Sequence, residues 1–236
     1  MKSCLRRFSI IFILLLNGCS VSDGINSDQV NSNPQTDTNL KVLSLGDSYT
    51  KGESVCSSCG FPVQLKDSLN MRLANVIVQN QVIAQTGWTT TNLITNINNA
   101  TLQNDYDLVT LLIGVNNQFQ GKPFSLYEAE FPQLVNRAIA YAKGDKNRVI
   151  VLSIPDYAFT PFGQGNSAIS DNIDEYNAFA QNYCNNNGIT FVNITDISRL
   201  GLDVPELVAA DGLHPSTLAY TRFVERLLPF AIQKIQ

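Results

Sequence analysis

The sequence predicts an α/β protein built around a parallel sheet, and three observations lead to this class. Short apolar segments alternate with longer segments of helical spacing from Leu40 to the C-terminus, a pattern typical of strand–helix–strand crossovers. The segment Asp107–Ile113 is almost entirely apolar, as expected for a strand that is buried on both faces. The polar residues suited to chemistry follow predicted strands, where the ligand sites of such sheets lie.

Five strands and five helices are predicted in alternation. The predicted strands are Lys41–Leu45, Val76–Ala84, Asp107–Ile113, Arg148–Ile154 and Thr190–Ile194. The predicted helices are Phe61–Ala74, Thr89–Ala100, Ser125–Ala142, Ile169–Asn186 and Ser216–Lys234. Each helix is predicted from apolar residues that recur every three or four positions. Ser125 and Glu128 have the spacing of a capping box, which predicts that the third helix begins at Ser125.

Residues 1–18 have the features of a secretion signal. Three basic residues precede the apolar run Phe8–Leu16, whose nine residues are too few to span a bilayer. The run leads into Leu16-Asn17-Gly18-Cys19, which resembles a bacterial lipobox. This resemblance implies cleavage before Cys19 and lipidation of its thiol and new amino group. The alternative is an ordinary signal peptide in which Cys19 is incidental.

Residues 19–39 are predicted to be a lipidated cysteine and a tether, and residues 40–236 a single domain. From Ser20 to Asn39 the chain is rich in Ser, Asn, Asp, Gln and Thr, so this stretch cannot bury an apolar face and is expected to be flexible. The expected location is the bacterial cell envelope, with a lipid anchor in the membrane and the domain facing the periplasm or exterior. Ser20 rather than Asp follows the cysteine, which by resemblance to known sorting patterns predicts the outer membrane of a Gram-negative cell.

The charge of the chain argues against a nucleic-acid partner. The full sequence has 16 basic and 20 acidic residues, a net charge of −4. Removal of residues 1–18 takes away three basic residues and no acid, which leaves a net charge of −7. Because affinity for nucleic acid comes largely from neutralised phosphates, an acidic chain without a basic run does not suit that partner.

Ser48 is the candidate nucleophile. It lies in Gly46-Asp47-Ser48-Tyr49, directly after the first predicted strand. A serine hydroxyl needs a base and an exposed position to act as a nucleophile, and a sharp turn at the end of a strand supplies the position. The alternative is a plain turn in which Asp47 and Ser48 cap the next segment.

Gly87 and Asn116 are candidate oxyanion donors. Each follows a predicted strand, in Gln85-Thr86-Gly87-Trp88 and in Gly114-Val115-Asn116-Asn117. A glycine lets its backbone N–H approach a substrate oxygen closely, and a side-chain amide can donate to developing negative charge. The alternatives are a plain strand-to-helix turn at Gly87 and an Asx-turn at Asn116.

His214 is the candidate general base, and it is the only histidine of the chain. It lies in Asp211-Gly212-Leu213-His214-Pro215, just before the last predicted helix. A lone histidine is often a structural residue. Here a carboxylate stands three residues earlier, and turn-forming Gly212 and Pro215 flank the pair. That arrangement can hold the imidazole in one tautomer, as in Ser-His-Asp triads.

Together these four segments resemble the four signature blocks of the GDSL/SGNH hydrolase family. They occur in the order of that family, at strand ends, and span nearly the whole domain from Leu40 onward. The resemblance implies Ser48 as nucleophile, with Asp211 and His214 completing the triad. It also implies an oxyanion hole formed by the N–H groups of Ser48 and Gly87 and by the Asn116 amide. The implied fold is a flavodoxin-like three-layer α/β/α sandwich with a five-stranded parallel sheet in the order 2-1-3-4-5.

Two neighbours of these residues refine the resemblance. Asp47 is implied to be structural and to hold the turn that carries the nucleophile. The family often has Asp after the oxyanion asparagine, whereas this chain has Asn117. Asn116 itself is retained, so the departure bears on detailed substrate preference rather than on the reaction.

Three interpretations compete for Cys56 and Cys59, which form a C-x-x-C pair between the nucleophile and the first long helix. A zinc site needs about four ligands, and the single histidine is already assigned. A thioredoxin-like redox pair is a second interpretation: such a pair lies at a helix N-terminus, which this pair nearly does, but nothing else in the sequence supports it. A short structural disulfide is the third and favoured one for an oxidising compartment. Cys184 is then a free and buried thiol.

The function expected from these residues is hydrolysis of a carboxylic oxygen ester through an acyl-enzyme on Ser48, with no metal or organic cofactor. The expected substrate is a small-molecule, glycan or lipid ester, either a short-acyl or O-acetyl carbohydrate ester or a lysophospholipid-type lipid. Two alternatives remain from other classes. One is a non-catalytic envelope binding protein on the same fold. The other is a thiol oxidoreductase that uses Cys56 and Cys59.

Overall fold

A computed structural model describes residues 37–236, and within them five strands form one parallel sheet. The strands are β1 (Thr38–Gly46), β2 (Val76–Ala84), β3 (Leu108–Leu112), β4 (Val149–Leu152) and β5 (Thr190–Val192). Their order across the sheet is β2-β1-β3-β4-β5, and every neighbouring pair is parallel. The predicted order 2-1-3-4-5 is therefore confirmed.

Long helices cover the sheet and short helices follow three of its strands. The long helices are α2 (Phe61–Arg72), α3 (Thr90–Asn99), α5 (Phe124–Tyr141), α6 (Ser167–Asn187) and α8 (Thr217–Ile235). The short helices are α1 (Ser48–Lys51), α4 (Val115–Phe119) and α7 (Thr195–Ser198), which come after β1, β3 and β5. Helix α2 contacts α8, whereas α5 contacts both α3 and α6. These two helix groups flank the sheet, which confirms the flavodoxin-like three-layer α/β/α sandwich.

The burial of each strand follows its place in the sheet. All residues of the central strands β3 and β4 are buried, as their apolar sequences predict. The edge strand β2 is mostly half-buried or exposed. In the register of β1, Gly46 pairs with Ala84 on one side and with Leu112 on the other. The segments that leave β1, β2 and β3 therefore emerge together at one edge of the sheet.

Most predicted boundaries differ from the structure by a few residues, and two of the differences have identifiable reasons. Strand β1 begins at Thr38, because Thr38 and Asn39 continue the pairing with β2; these two residues were predicted to belong to the tether. Helix α5 begins at Phe124 with Pro123 at its N-cap position, so the predicted capping box of Ser125 is wrong. Contacts of the Phe124 ring with aromatic side chains of α5 and α6 hold this end of the helix instead.

The predictions for the signal peptide, for the lipidation of Cys19 and for most of the tether lie outside the described residues. Within residues 37–236, no helix is both long enough and apolar enough to cross a membrane.

Candidate active site

Ser48 is the first residue of α1 and comes two residues after the end of β1. Asp47 caps this helix, because its Oδ1 accepts the Tyr49 N–H at 3.0 Å. Only glycine fits at position 46, because a Cβ there would lie 2.1 Å from Thr50 Oγ1 and 2.3 Å from the Leu112 carbonyl oxygen. The sequence therefore forms a tight strand-to-helix turn with Ser48 at its apex.

Asp47 is fully buried behind this turn, and its second oxygen is unpartnered. Oδ2 has no hydrogen-bond partner among the described residues. Burial raises the pKa of Asp47 to about 7, although the hydrogen bond from the Tyr49 N–H opposes the rise. A buried carboxyl without a cation disfavours its charged form. Its place behind the turn is the one that the resemblance implied for a structural residue.

His214 is paired with Asp211 as the sequence predicts. The His214 Nδ1 lies 2.6 Å from Asp211 Oδ2, while Oδ1 of the same carboxylate accepts the backbone N–H groups of Leu213 and His214 at 3.0 Å. Burial opposes the ionisation of Asp211. Hydrogen bonds from Ser54, from the His214 ring and from the two backbone N–H groups outweigh that effect and hold the pKa of Asp211 well below its usual value. The carboxylate is therefore ionised and oriented toward the ring.

Gly87 and Asn116 lie side by side at the ends of β2 and β3. The Asn116 Nδ2 donates to the Trp88 carbonyl at 3.0 Å, and because a side-chain amide has two N–H groups, one remains for a substrate. Gly87 has a φ of +84°, which strains any residue with a side chain. Its carbonyl accepts a hydrogen bond from Gln120 at 2.8 Å. These hydrogen bonds hold both residues in place.

One cavity of about 220 Å³ brings these residues together. Its lining includes Ser48, Gly87, Asn116 and His214, together with Phe119 and Tyr157 from the surrounding segments. Asp211 contacts His214 without lining the cavity. Among residues 37–236 the structure has no hydrogen bond between Ser48 Oγ and the His214 ring. Every candidate of the triad and the oxyanion hole is therefore at this one place in the fold.

Comparison with known proteins agrees with this geometry. The sequence model of the GDSL-like lipase/acylhydrolase family matches residues 44–222. The chain belongs to this family. Because the family consists of lipases and acylhydrolases, this GDSL-like protein is a serine hydrolase that acts on ester bonds. No curated protein matches it in sequence.

Solved structures similar to this GDSL-like hydrolase share its fold. An acetylxylan esterase from Geobacillus stearothermophilus is 18% identical with a TM-score of 0.67, over 84% of this chain and 96% of that chain. A lipolytic G-D-S-L protein from Veillonella parvula is 19% identical with a TM-score of 0.62, over 80% and 97%. A psychrotrophic esterase from Pseudoalteromonas is 17% identical with a TM-score of 0.60, over 82% and 97%.

Asn117 has a structural place in this GDSL-like hydrolase. It is fully buried, its Oδ1 accepts the Thr90 N–H at 2.9 Å, and its Nδ2 lies 2.6 Å from Thr90 Oγ1. The Thr90 hydroxyl in turn bonds to Glu130 at 2.5 Å. The amide that replaces the family's common Asp therefore joins the start of α3 to α4 beside the oxyanion donors.

The cysteines are arranged as the favoured interpretation predicts. Cys56 and Cys59 form a disulfide, and Cys184 is a free, buried thiol. Burial raises the pKa of Cys184 to about 12, so it remains a thiol near neutral pH. In residues 37–236, no three His, Cys, Asp or Glu side chains are grouped closely enough to hold a metal ion.

Sequence reasoning missed three residues around the triad. The Tyr49 ring meets the His214 ring edge-on at a centroid distance of 5.9 Å. Ser54 Oγ donates to Asp211 Oδ2 at 2.5 Å across 157 positions of sequence. Phe119 is exposed beside the cavity and contacts Tyr157. Tyr49 adjoins the nucleophile and was within reach of sequence analysis, but no local signal marks Ser54.

Proposed function

We propose that this hydrolase cleaves esters through an acyl-enzyme on Ser48, with His214 as general base and Asp211 as its orienting carboxylate. The observation that carries the proposal is the shared cavity of Ser48, Gly87, Asn116 and His214, with Asp211 hydrogen-bonded to the ring. The proposal expects a hydrogen bond between Ser48 Oγ and His214 to form when substrate is bound, because catalytic hydrogen bonds are often long or poorly aligned in the free enzyme.

The reaction has two steps. In the first, Ser48 Oγ attacks the acyl carbonyl while His214 Nε2 takes the hydroxyl proton, and His214 then gives that proton to the departing alcohol. In the second, His214 takes a proton from water as the water oxygen attacks the acyl-enzyme, and His214 then gives that proton to Ser48 Oγ as the acyl–Oγ bond breaks, which releases the acid and regenerates the serine hydroxyl. Asp211 stays ionised throughout and favours the protonated ring by its charge.

The oxyanion of each tetrahedral intermediate is bound by three donors in this proposal. They are the Ser48 N–H, the Gly87 N–H and the second N–H of the Asn116 amide. The hydrogen bond from Asn116 to the Trp88 carbonyl fixes the plane of that amide. A donor fixed before the reaction stabilises the developing charge without a cost of reorganisation.

The proposed substrate is either a short-acyl or O-acetyl carbohydrate ester or a lysophospholipid-type lipid ester. The cavity of about 220 Å³ supports a short acyl group. An acetylxylan esterase among the similar structures favours the carbohydrate ester. A panel of esters of increasing acyl length, with acetylated sugars and lysophospholipids, ranks these substrates by their kcat/KM.

Ser48→Ala tests the proposed nucleophile. Turnover of a chromogenic short-chain ester should fall by several orders of magnitude while the fold is retained, because removal of a triad member leaves only binding and oxyanion stabilisation. Ser44→Ala is the matched control, since Ser44 is also buried in this part of the chain and contacts Thr110 rather than the cavity. Near-native turnover by folded Ser48→Ala protein would reject the nucleophile.

We also propose that Cys19 is lipidated and anchors the enzyme in the bacterial cell envelope. The lipobox-like Leu16-Asn17-Gly18-Cys19 after an apolar run supports this proposal. Cys19→Ser should abolish metabolic labelling by palmitate and release the protein from the membrane fraction, or leave it uncleaved. A wild-type protein without label would reject the anchor and leave the esterase proposal untouched.

A further inference from the structure

The segment between α1 and α2 is a closed loop that reaches the triad. Its ends approach each other, since a Cβ at Gly52 would lie 3.1 Å from the Cα of Gly60. The Cys56–Cys59 disulfide closes its far half. Ser54, in its near half, has a φ of 64°, a left-handed conformation that is costly for a residue other than glycine. The loop therefore holds Ser54 in a conformation that its own backbone does not favour.

The Ser54 side chain bonds to the carboxylate of the proposed triad. The Ser54 Oγ donates to Asp211 Oδ2 at 2.5 Å. Asp211 Oδ2 also lies 2.6 Å from His214 Nδ1. The other donors to Asp211 are the His214 ring and the backbone N–H groups of Leu213 and His214, all within its own turn. Ser54 thus ties this turn to a segment 157 residues away in sequence.

A neighbouring residue ties the same loop to the oxyanion side of the cavity. Glu53 accepts hydrogen bonds from Thr86 and, at 2.9 Å, from Lys51 Nζ. Thr86 immediately precedes Gly87. Glu53 therefore contacts the segment that carries the proposed oxyanion donor Gly87. Ser54, the next residue, contacts the proposed triad carboxylate. This double attachment fixes the position from which Ser54 reaches Asp211.

We infer that Ser54 is a positioning residue that orients Asp211, and through it the His214 ring, for the proposed reaction. The inference rests on the proposed triad. The Asp211 side chain is 32% exposed and the His214 side chain 12%, so solvent reaches part of the Asp211 side chain. A fixed hydroxyl at Oδ2 limits rotation of the carboxylate. Small displacements of a catalytic group cost rate rather than substrate affinity.

Ser54→Gly separates positioning from a structural role. Glycine removes the hydroxyl but also relieves the left-handed backbone, so this variant should be folded and close to wild type in stability. We expect kcat to fall by about 10-fold to 100-fold with KM within about twofold of wild type. Ser57→Gly is the matched control, an exposed serine of the same loop, and should leave both constants unchanged.

A double-mutant cycle with Asp211→Asn completes the test. If Ser54 acts through Asp211, Ser54→Gly should lower kcat by less than about twofold once Asp211 is already replaced. The inference is overturned if Ser54→Gly alone keeps kcat within about twofold of wild type, or if its effect is equally large in both backgrounds. Ser48→Ala distinguishes the failures, because near-native turnover by that folded variant rejects the proposed triad whatever Ser54 does.

Discussion

Two buried aspartates, Asp107 and Asp47, lie at opposite edges of the sheet and have opposite surroundings. Asp107 precedes β3 and accepts the Lys41 N–H at 2.8 Å and Lys143 Nζ at 2.6 Å, with Arg148 at 3.7 Å. Asp47 follows β1, accepts one backbone N–H, and has an unpartnered second oxygen. The first carboxylate is neutralised by cations, whereas no cationic side chain of residues 37–236 pairs with the second.

This difference indicates that charged groups at the amino edge of the sheet support stability, whereas those at the carboxyl edge support catalysis. At the amino edge, the charge of Asp107 is balanced where the strands begin. At the carboxyl edge, Asp47 and Asp211 are surrounded by hydroxyl, imidazole and backbone N–H groups. Changes at the amino edge should therefore alter stability and spare kcat. Changes at the carboxyl edge should alter kcat or the pH dependence of stability.

The largest effect is expected for Asp211→Asn, which should lower kcat by about 10⁴-fold with the fold intact. The amide removes the charge that stabilises the protonated ring, and its N–H can favour the wrong tautomer of His214. Steady-state kinetics on a short-chain ester, with circular dichroism of both proteins, measure this. A loss of less than tenfold in kcat would remove Asp211 from the triad.

Asp47→Asn should change how stability depends on pH. Burial raises the pKa of Asp47 to about 7, above an ordinary value of 3.8. Between those values the unfolded chain has lost a proton that the folded chain keeps, so rising pH lowers wild-type stability. The free energy of unfolding of the wild type should fall by about 4 kcal/mol from about pH 4 to pH 7, with no further loss from Asp47 above that. Asp47→Asn should lack this fall.

Urea unfolding of wild type and Asp47→Asn at several values between pH 4 and 8 measures this difference. Asp107→Asn serves as the control from the other edge of the sheet, and its free energy of unfolding should fall with rising pH as that of the wild type does. Parallel curves for wild type and Asp47→Asn would mean that Asp47 ionises normally in the folded chain, and the comparison of the two edges would lose its basis.

Asn116→Ala should lower kcat by about 100-fold to 1000-fold with little change in KM. The amide stabilises charge that exists only in the transition state, so substrate binding is spared. The nearby Gln120→Ala is a control, because Gln120 supports the Gly87 carbonyl and is exposed; its effect on kcat should be smaller. A rise in KM alone would make Asn116 a binding residue.

The smallest effect is expected for Asp107→Asn, which should lower the free energy of unfolding by about 1–3 kcal/mol. The amide still accepts the Lys41 N–H but no longer pairs with Lys143 and Arg148 as an ion. Its kcat per folded molecule should equal that of wild type. A fall of more than about tenfold in kcat, without unfolding, would show that the amino edge also supports catalysis.

The long elements of the fold follow from the sequence, and the short ones do not. Every predicted strand and long helix is present, with ends that shift by up to three residues, as at Thr38. Apolar periodicity over many residues carries that information. The helices α1, α4 and α7 have four or five residues each, too few for a period to be visible. Two of them carry Ser48 and Asn116.

The candidate site divides in the same way. Ser48, Gly87 and Asn116 stand in short motifs that follow strand ends, so topology brings them to one edge of the sheet. His214 stands in a short motif before α8. The contact of Ser54 with Asp211 depends instead on how a disulfide-closed loop folds back across 157 positions. The unpartnered oxygen of Asp47 is likewise a property of packing. Neither has a counterpart in local sequence.

The most direct test of the central claim is covalent labelling of the proposed nucleophile by a fluorophosphonate. A nucleophilic Ser48 should attack the phosphorus, expel fluoride and keep one phosphonyl group per chain. Mass spectrometry of the intact protein and its peptides should place a single adduct on Ser48, with none in Ser48→Ala and slower labelling in His214→Ala. An active enzyme that is labelled at another residue, or not at all, would contradict the account.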